Sequence, residues 1–473
     1  MKRPRWLMVA AIGALPLLCG FSLSQCGLTA RDFEPVSLNG FDPVDNAQDW
    51  NDYPWSMAYF VADGAQEGHV YVGTGNGIDD QIWYRMGLLD PSVSPYRPPE
   101  IRRYRPDLGP KEWERVFDFR DLEAGPDFTS TGFRGMAVYR AQSDGVNYLY
   151  AGTSGTIPSL WRSATGEPGS WEQVFSAGQE GSIRWLAVHN GLLYISIANE
   201  SVIDYTPGQV WATDGATVWP VIEDGFGNPD NRSVMSLVSY NGWLYAGTTN
   251  IATGYEIWKL EGPGKNGTTP VKVVGEGGPD SRNQAAGTPF VFQGKLYYGS
   301  QSLHVRWKGF DLIRIDENDQ WEVIVGPHSL SGYESGFNRP ANCYLWWMEE
   351  HDGWLYAGTW DCASLLQYIV ENRQLAVQAI PVVVELWNVI HGPSGKAEMK
   401  PISVVTEAGA DLYKSCDGVH WRPVFTNGLG DPYNYGIRTM VSVGDDLYLG
   451  MANPFDGLEI WRGQSCKSTQ LPK

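Results

Sequence analysis

The chain has few basic residues, since its 35 Lys and Arg face 54 Asp and Glu and leave a formal net charge of −19. Such an acidic surface argues against nucleic acid and anionic lipid as partners, although a local basic pocket can still hold an anion. Cysteine is also scarce, at six residues in 473. No CxxC or His-x-x-x-His spacing accompanies the cysteines, which argues against a structural zinc site. Walker, dinucleotide-binding and Ser-His-Asp motifs are missing as well.

Long apolar runs are absent beyond the N-terminus, so no later segment is predicted to cross a membrane. The first residues, MKRPRWLMVAAIGALPLLCG, place basic residues before an apolar stretch, which is typical of a secretory signal peptide. We assign it to residues 1–24, with Ser22-Leu23-Ser24 as the cleavage site. The sequence therefore predicts a secreted or periplasmic protein. Anchoring as a lipoprotein through Cys26 is the alternative.

A short phrase, Leu/Val-Tyr-x-Gly-Thr, recurs along the chain. Clear copies are HVYVGTGNGIDDQIW (69–83), YLYAGTSGTIPSLW (148–161), WLYAGTTNIATGYEIW (243–258) and DLYLGMANPFDGLEIW (446–461), and degenerate copies lie at 192–200, 295–302 and 354–361. From Tyr150 to Tyr297 the tyrosines follow at intervals of about 44 to 52 residues, the length of a four-stranded propeller blade. Apolar runs before each copy and polar Asn-Gly turns, as at 190–191, predict antiparallel hairpins.

The stretch SCDGVHW (415–421) resembles the Asp box of sialidase-like propellers, with one residue fewer before its Gly. ATDGATVW (212–219) and RSATGEPGSW (162–171) are weaker versions. With the repeat, this resemblance implies an all-β, seven-bladed β-propeller of four-stranded antiparallel blades over residues 33–463. The Asp box is structural in that superfamily, and without an Arg-Ile-Pro motif the resemblance does not imply sialidase activity. The segment 33–36 is predicted to complete the last blade and close the ring.

Two units are longer than the rest, which predicts insertions at about 84–111 and 363–405, and residues 464–473 remain as a C-terminal tail. The second insertion is apolar and follows Asp361 on the face where propellers usually bind ligands. We interpret it as a lid or a contact for a protein partner, or else as a packed decoration.

Four cysteines follow the signal peptide and Cys26. Cys343 and Cys362 fall at the same end of one blade, which predicts a disulfide between them. Cys416 and Cys466 occupy the same outer hairpin of neighbouring blades, and a bond there would hold the C-terminal tail. Four cysteines permit three connectivities, so the other pairings stay open.

Alignment on the repeated Tyr places Arg134, Arg184 and Arg438 at equivalent positions at the mouth of the central channel. Three guanidinium groups converging there would bind a carboxylate or sulfate in a bidentate manner. Alternatively, each arginine pairs with an Asp of its own loop or caps the carbonyls of a neighbouring blade.

Residues that break the repeat are the other site candidates. Trp346 and Trp347 are predicted to contact a substrate, and His304, Tyr435 and Asp361 are the candidates for general acid and base. Asp and Asn side chains of the loops also leave room for a Ca²⁺ ion.

These residues predict an exported carbohydrate-active enzyme that acts on an acidic glycan at the channel mouth. A His or Tyr base beside an Arg that neutralises a uronate is the logic of polysaccharide lyases, several of which are seven-bladed propellers, whereas a carboxylate pair would suit a glycoside hydrolase. Two alternatives stay open: a non-catalytic propeller that binds a ligand or partner, and a small-molecule enzyme with an apolar lid.

Overall fold

The computed structural model describes residues 27–41, 51–78, 97–122, 129–178, 180–199, 206–261, 269–302, 308–371 and 408–465. These residues form an all-β protein in which one large antiparallel sheet is nearly closed on itself, a propeller-like arrangement. The predicted all-β class is confirmed. The predicted signal peptide, His304, Cys26 and Cys466 lie outside the described residues.

The sheet is built from strands that follow one another along the chain. The first are β1 (Phe33–Ser37), β2 (Asn51–Phe60), β3 (His69–Asn76), β4 (Glu100–Tyr104), β5 (Trp113–Asp118), β6 (Ser130–Arg140), β7 (Asn147–Gly155), β8 (Ser159–Ser163) and β9 (Glu172–Ser176). Next come β10 (Gly181–His189), β11 (Leu192–Ala198), β12 (Gln209–Thr213), β13 (Val218–Ile222), β14 (Asn231–Tyr240), β15 (Trp243–Asn250), β16 (Ile257–Glu261), β17 (Val271–Val274) and β18 (Ala285–Phe292). The last are β19 (Lys295–Gln301), β20 (Leu312–Ile315), β21 (Trp321–Val325), β22 (Asn342–His351), β23 (Trp354–Asp361), β24 (Asp411–Ser415), β25 (Arg422–Thr426), β26 (Gly436–Val443), β27 (Asp446–Ala452) and β28 (Glu459–Gln464).

Helical segments are few and short in the described chain. The α-helix α1 spans Ala363–Glu371. Single 3₁₀ turns lie at Ala30–Asp32, Asn39–Phe41, Phe119–Asp121, Ser335–Asn338 and Gly428–Gly430.

Pairing between strands repeats in one order. Strand β2 pairs with β3, β3 with β4 and β4 with β5, and the same succession starts again at β6, β10, β14, β18 and β22. At the C-terminus β26 pairs with β27 and β27 with β28, and β28 then pairs with β1 from the N-terminus, with Phe33 opposite Gly463. The predicted role of segment 33–36 in completing the last unit agrees with this pairing, which covers an edge that would otherwise be exposed.

The strands that begin each succession contact one another in a ring. Strand β2 contacts β6, and so on through β10, β14, β18, β22 and β26, and β26 contacts β2. We call these seven strands the ring strands. They place residues that are hundreds of positions apart in sequence around one central space.

The repeated phrase holds this sheet together through its Thr. Thr248 Oγ1 donates a hydrogen bond to Asn231 Oδ1 (3.2 Å) and accepts one from the backbone N–H of Glu256 (2.9 Å). In the sixth copy Thr359 Oγ1 likewise donates to Asn342 Oδ1 (3.1 Å). In these two copies the buried Thr thus joins the ring strand to the second strand of its unit, which satisfies polar groups inside the sheet.

The predicted turns also have the expected conformations. Asn190 and Gly191 have φ of 46° and 78°, and Asn241 and Gly242 have φ of 48° and 79°. Asn-Gly adopts this left-handed pair with little strain, which is why it joins tight hairpins. In the Asp-box-like turn, Asp417 Oδ1 accepts hydrogen bonds from the backbone N–H groups two and three residues later. These two hydrogen bonds hold the turn between β24 and β25.

Two predicted boundaries need correction. Residues 84–111 were predicted to be inserted, but 100–104 form β4, which pairs with β3 and β5. The third strand of this unit is therefore β4, inside the stretch that was assigned to the insertion. The predicted tail begins at 464, yet Gln464 still pairs with Asp446.

Candidate functional site

Every ring strand carries a β-bulge at the same position. In β10, for example, Ile183 pairs with Ile197 and Trp185 with Ser196, so that Arg184 has no partner opposite it. A bulge re-aims the side chain of the extra residue. The residues at this position, in ring order, are Trp55, Arg134, Arg184, Met235, Gly287, Trp346 and Arg438. The three arginines that the alignment made equivalent are therefore equivalent in the backbone as well.

The three arginines line one cavity of about 170 Å³ between the ring strands. Strands β2, β6, β10, β22 and β26 contribute its walls. The lining residues are Ser56, Met57, Arg134, Gly135, Met136, Arg184, Trp185, Leu186, Trp347 and Arg438. The lining thus combines cationic, apolar and aromatic side chains.

Arg184 and Arg438 are buried, with 8% and 5% of their surface exposed. Neither guanidinium group makes an ion pair or a hydrogen bond with another residue that the structure describes. Burial lowers the pKa of Arg184 to about 10. Burial, and then the positive charge of Arg184, lower the pKa of Arg438 to about 9. Both groups are therefore charged at neutral pH and repel each other.

Arg134 is held more firmly than the other two. Its Nη1 donates to Ser182 Oγ (3.3 Å), and its guanidinium lies over the ring of Trp55 at 4.7 Å. Arg438 has a similar neighbour, because its guanidinium lies 5.5 Å from the ring centroid of Trp346. Two arginines thus lie against a tryptophan from the bulge of the adjacent ring strand, a favourable cation–π arrangement.

Trp185 and Trp347 form the aromatic wall of the cavity. Their rings stack with centroids 5.4 Å apart and an interplanar angle of 25°. They come from β10 and β22, which are not neighbours in the ring, so the pair meets across it. Sequence reasoning selected Trp347 but missed Trp185. A signal was present, because the residue after the bulge is Ser or Thr in most ring strands and Trp in these two.

Tyr435, predicted to be an acid or base, lies behind the cavity wall and does not line the cavity. Its buried ring packs against Tyr53 and Trp346, with centroids 5.8 and 6.0 Å away, and against Trp360 at 5.6 Å. Trp346 belongs to the same aromatic cluster and reaches the cavity only through its contact with Arg438.

Asp361, the other acid or base candidate, is fully buried at the start of α1 and is also absent from the cavity wall. Its Oδ1 accepts a hydrogen bond from the backbone N–H of Ala363 (2.7 Å), and its own N–H donates to the carbonyl of Tyr435 (2.7 Å). Burial, and then the charge of Asp411, raise the pKa of Asp361 to about 7. The carboxyl group therefore titrates near neutral pH, but at a structural position.

Helix α1, the first part of the predicted insertion, covers the aromatic cluster. Leu365 packs into it, and the ring of Tyr368 stacks on Phe455 with centroids 3.9 Å apart. The cluster separates α1 from the arginines. The rest of the insertion, from residue 372, lies outside the described residues.

Cys343 and Cys362 lie side by side in the buried end of the β22–β23 hairpin, and their Sγ atoms are 2.8 Å apart. The structure holds both as thiols, as it does Cys416. The predicted bond between Cys343 and Cys362 remains a prediction, as does the Cys416–Cys466 pair. Within the described ranges, no three His, Cys, Asp or Glu side chains come together as a metal site would require.

Two further observations bear on the class of protein. None of the helices in the described ranges has the length and apolar character needed to cross a membrane. No protein-family model matches this chain, and no curated protein sequence matches it significantly.

Proposed function

We propose that this protein is an exported seven-bladed propeller of four-stranded blades that binds a small anionic group of an acidic glycan in the cavity between its ring strands. The observation that carries the proposal is the meeting of Arg184 and Arg438 in one cavity. Both are buried, and neither has a carboxylate partner among the described residues.

Physical chemistry supports an anionic ligand. A buried charge without a partner costs several kcal/mol of folding free energy. Two such charges side by side cost more, and the lowered pKa values of Arg184 and Arg438 reflect that cost. A carboxylate or sulfate accepts paired hydrogen bonds from a guanidinium fork and would offset this penalty.

The remaining walls suit the ring of a sugar acid. Trp185 and Trp347 present aromatic surface, and Met57 and Met136 add apolar surface beside the arginines. A volume of about 170 Å³ is below the ~300–1,000 Å³ common for drug-sized ligands. The size favours a single acidic residue, or the end of a glycan, over an internal stretch of polysaccharide.

Binding is better supported than catalysis. A lyase or glycoside hydrolase needs an acid or base within reach of the bound anion, whereas Tyr435 belongs to the aromatic cluster and neither it nor Asp361 lines the cavity. Catalysis through these residues or His304 therefore remains an extension of the proposal. Absorbance of an unsaturated product from uronic-acid polysaccharides would reveal a lyase.

Calorimetric titration of the purified protein with glucuronate and with inorganic sulfate tests the binding proposal. We expect binding at pH 7.5, and we expect Arg184→Met to weaken it about a hundredfold, because a charged hydrogen-bonding partner is lost. Met235→Leu is the matched control, since Met235 occupies the same bulge in β14 outside the cavity wall. The proposal fails if neither anion binds, or if Arg184→Met binds them as tightly as the natural chain.

A further inference from the structure

The charge of the cavity indicates how many negative charges its ligand carries. Arg184 and Arg438 each contribute a positive charge that no described residue balances. A uronate or a sulfate ester carries one negative charge and would balance only one of them. A ligand with two negative charges would balance both.

The two arginines line one small cavity, so a compact group bound there would contact both. They line the same cavity of about 170 Å³, and the charge of Arg184 acts directly on Arg438. Two charges at distant ends of a molecule would not fit this geometry. The charge pair therefore favours a single dianionic head, and phosphate provides three acceptor oxygens for guanidinium forks.

The aromatic and apolar lining residues indicate what the charged head is attached to. The stacked pair Trp185–Trp347, with Met57 and Met136, borders the cavity with apolar surface. A bare inorganic ion would leave that surface in contact with water only. A ring that packs on an indole face would bury it.

We propose that the cavity selects the phosphate monoester of a monosaccharide, with its dianionic phosphate between Arg184 and Arg438 and its ring against Trp185 and Trp347. This inference rests on the proposed anion site and names the class of its ligand. Arg134, held by Ser182 and Trp55, lies in the same wall.

Glucose 6-phosphate and glucose 6-sulfate form a matched pair of probes, because they have nearly the same shape and differ by one charge at pH 7.5. Calorimetric titration should give about tenfold tighter binding of the phosphate, since one more charged contact is satisfied. At pH 5 the phosphate becomes a monoanion, as its second pKa is about 6. Its advantage should then disappear, while binding of the sulfate stays unchanged.

The arginines set the upper limit of the pH range in which the ligand binds tightly. The groups that face Arg438 are Arg184 from β10 and Tyr53 from β2, with Trp346 from β22 beside it. The pKa of Arg438 is about 9, so its charge is lost as pH rises through that value. Affinity for glucose 6-phosphate should accordingly be greatest between about pH 7 and 9.

A variant separates charge selection from general affinity. Arg184→Gln keeps a hydrogen-bond donor but removes a charge, and it should reduce the tenfold preference for phosphate over sulfate to near one. Arg184→Lys should retain most of the preference. Thermal unfolding of each variant shows whether it is folded. Met235→Leu should leave both affinities unchanged.

The outcomes distinguish this inference from the proposed function. Equal affinity for the two esters at pH 7.5 would overturn the selection of a dianion and leave the anion site in place. Inorganic phosphate binding as tightly as glucose 6-phosphate would overturn the role of the ring. If glucuronate, sulfate and both esters all fail to bind, the proposed function fails as well.

Discussion

The two sides of the ring share one backbone and differ in charge. At the bulge, β6, β10 and β26 carry Arg134, Arg184 and Arg438, whereas β14 and β18 on the other side carry Met235 and Gly287. The bulge itself is therefore a property of the repeat. The residue at the bulge differs between strands, and arginines occupy it only on the side of the ring where the cavity lies.

The neutral side is closed by hydrogen bonds between ring strands. Ser236 Oγ donates to the carbonyl of Ala286 (2.8 Å), and Thr288 Oγ1 donates to that of Leu345 (2.8 Å). Gly135 and Trp185 replace the hydroxyl residue on β6 and β10, and the cavity lies there. On these two strands the hydroxyl contact is lost where an arginine is present, whereas β26 carries Arg438 and keeps the contact, in which Thr439 Oγ1 donates to the carbonyl of Pro54 (3.2 Å).

A second contrast concerns the end of the repeated phrase. Five residues after the Tyr, the copies in β15 and at the end of β27 have Asn250 and Asn453, whereas β23 has Asp361. Asn250 Oδ1 accepts from the backbone N–H groups of two following residues, and Asp361 Oδ1 accepts from that of Ala363. The same turn is thus made in β23 with a buried charge.

Replacing Asp361 with Asn should remove that difference and have the largest effect on stability. The folded pKa of about 7 lies above the ordinary value of 3.8, so the stability that this group contributes is present below about pH 4 and is lost as pH rises through about 7. Asp361→Asn should therefore stabilise the protein by up to about 4 kcal/mol at pH 8, and by much less at pH 4. Denaturant unfolding at both pH values measures this, and an equal effect at the two would contradict it.

A larger side chain at the bulge of β18, on the neutral side, should have the next largest effect on stability. A Cβ atom at Gly287 would lie 2.2 Å from Nε2 of the buried Gln301. Gly287→Ala should therefore destabilise the fold by about 2 kcal/mol through overpacking. At Gly275 the nearest atom is a lysine Cδ at 3.4 Å, so Gly275→Ala is the matched control. If both substitutions cost the same, the neutral side is less tightly packed than the structure indicates.

Replacing an arginine on the charged side with a neutral residue should have the smallest effect on stability. Unlike Gly287→Ala, it should stabilise the fold. Arg438→Met copies Met235 at the equivalent bulge and removes both a buried charge and its repulsion with Arg184. Removal of the buried charge favours the variant by several kcal/mol, but loss of the contact with Trp346 opposes it, so without added anion we expect a net gain of about 1 kcal/mol. Thermal unfolding in a buffer free of phosphate and sulfate measures this. A less stable variant would mean that Arg438 has a structural role.

Much of the fold could be predicted from sequence, because the repeated phrase encodes local contacts. Tyr, Thr and the Asn-Gly turn act within one unit or on its neighbour, so their spacing is visible in the chain. The third strand of the first unit was misplaced because extra residues interrupt the spacing before β4.

The candidate site was only partly predictable. Alignment of the repeat made Arg134, Arg184 and Arg438 equivalent, whereas departures from the repeat suggested Tyr435 and Asp361, which do not line the cavity. The burial and orientation of a side chain depend on the bulge and on the neighbouring strands. The spacing of residues in the sequence predicts neither the bulge nor which strands become neighbours. Trp185 was missed for the same reason, since its stacking partner Trp347 lies across the ring.

The sequence by itself therefore determined the all-β class, the repeating hairpins and the equivalence of the three arginines, because each depends on short-range pattern. Only the tertiary structure decided that Arg184 and Arg438 face one cavity without a carboxylate partner among the described residues, and that two tryptophans close it. The physical reason is that strands distant in the chain become neighbours only when the sheet nearly closes. Whether a buried charge is balanced depends on those spatial neighbours. It does not depend on the residues adjacent in sequence.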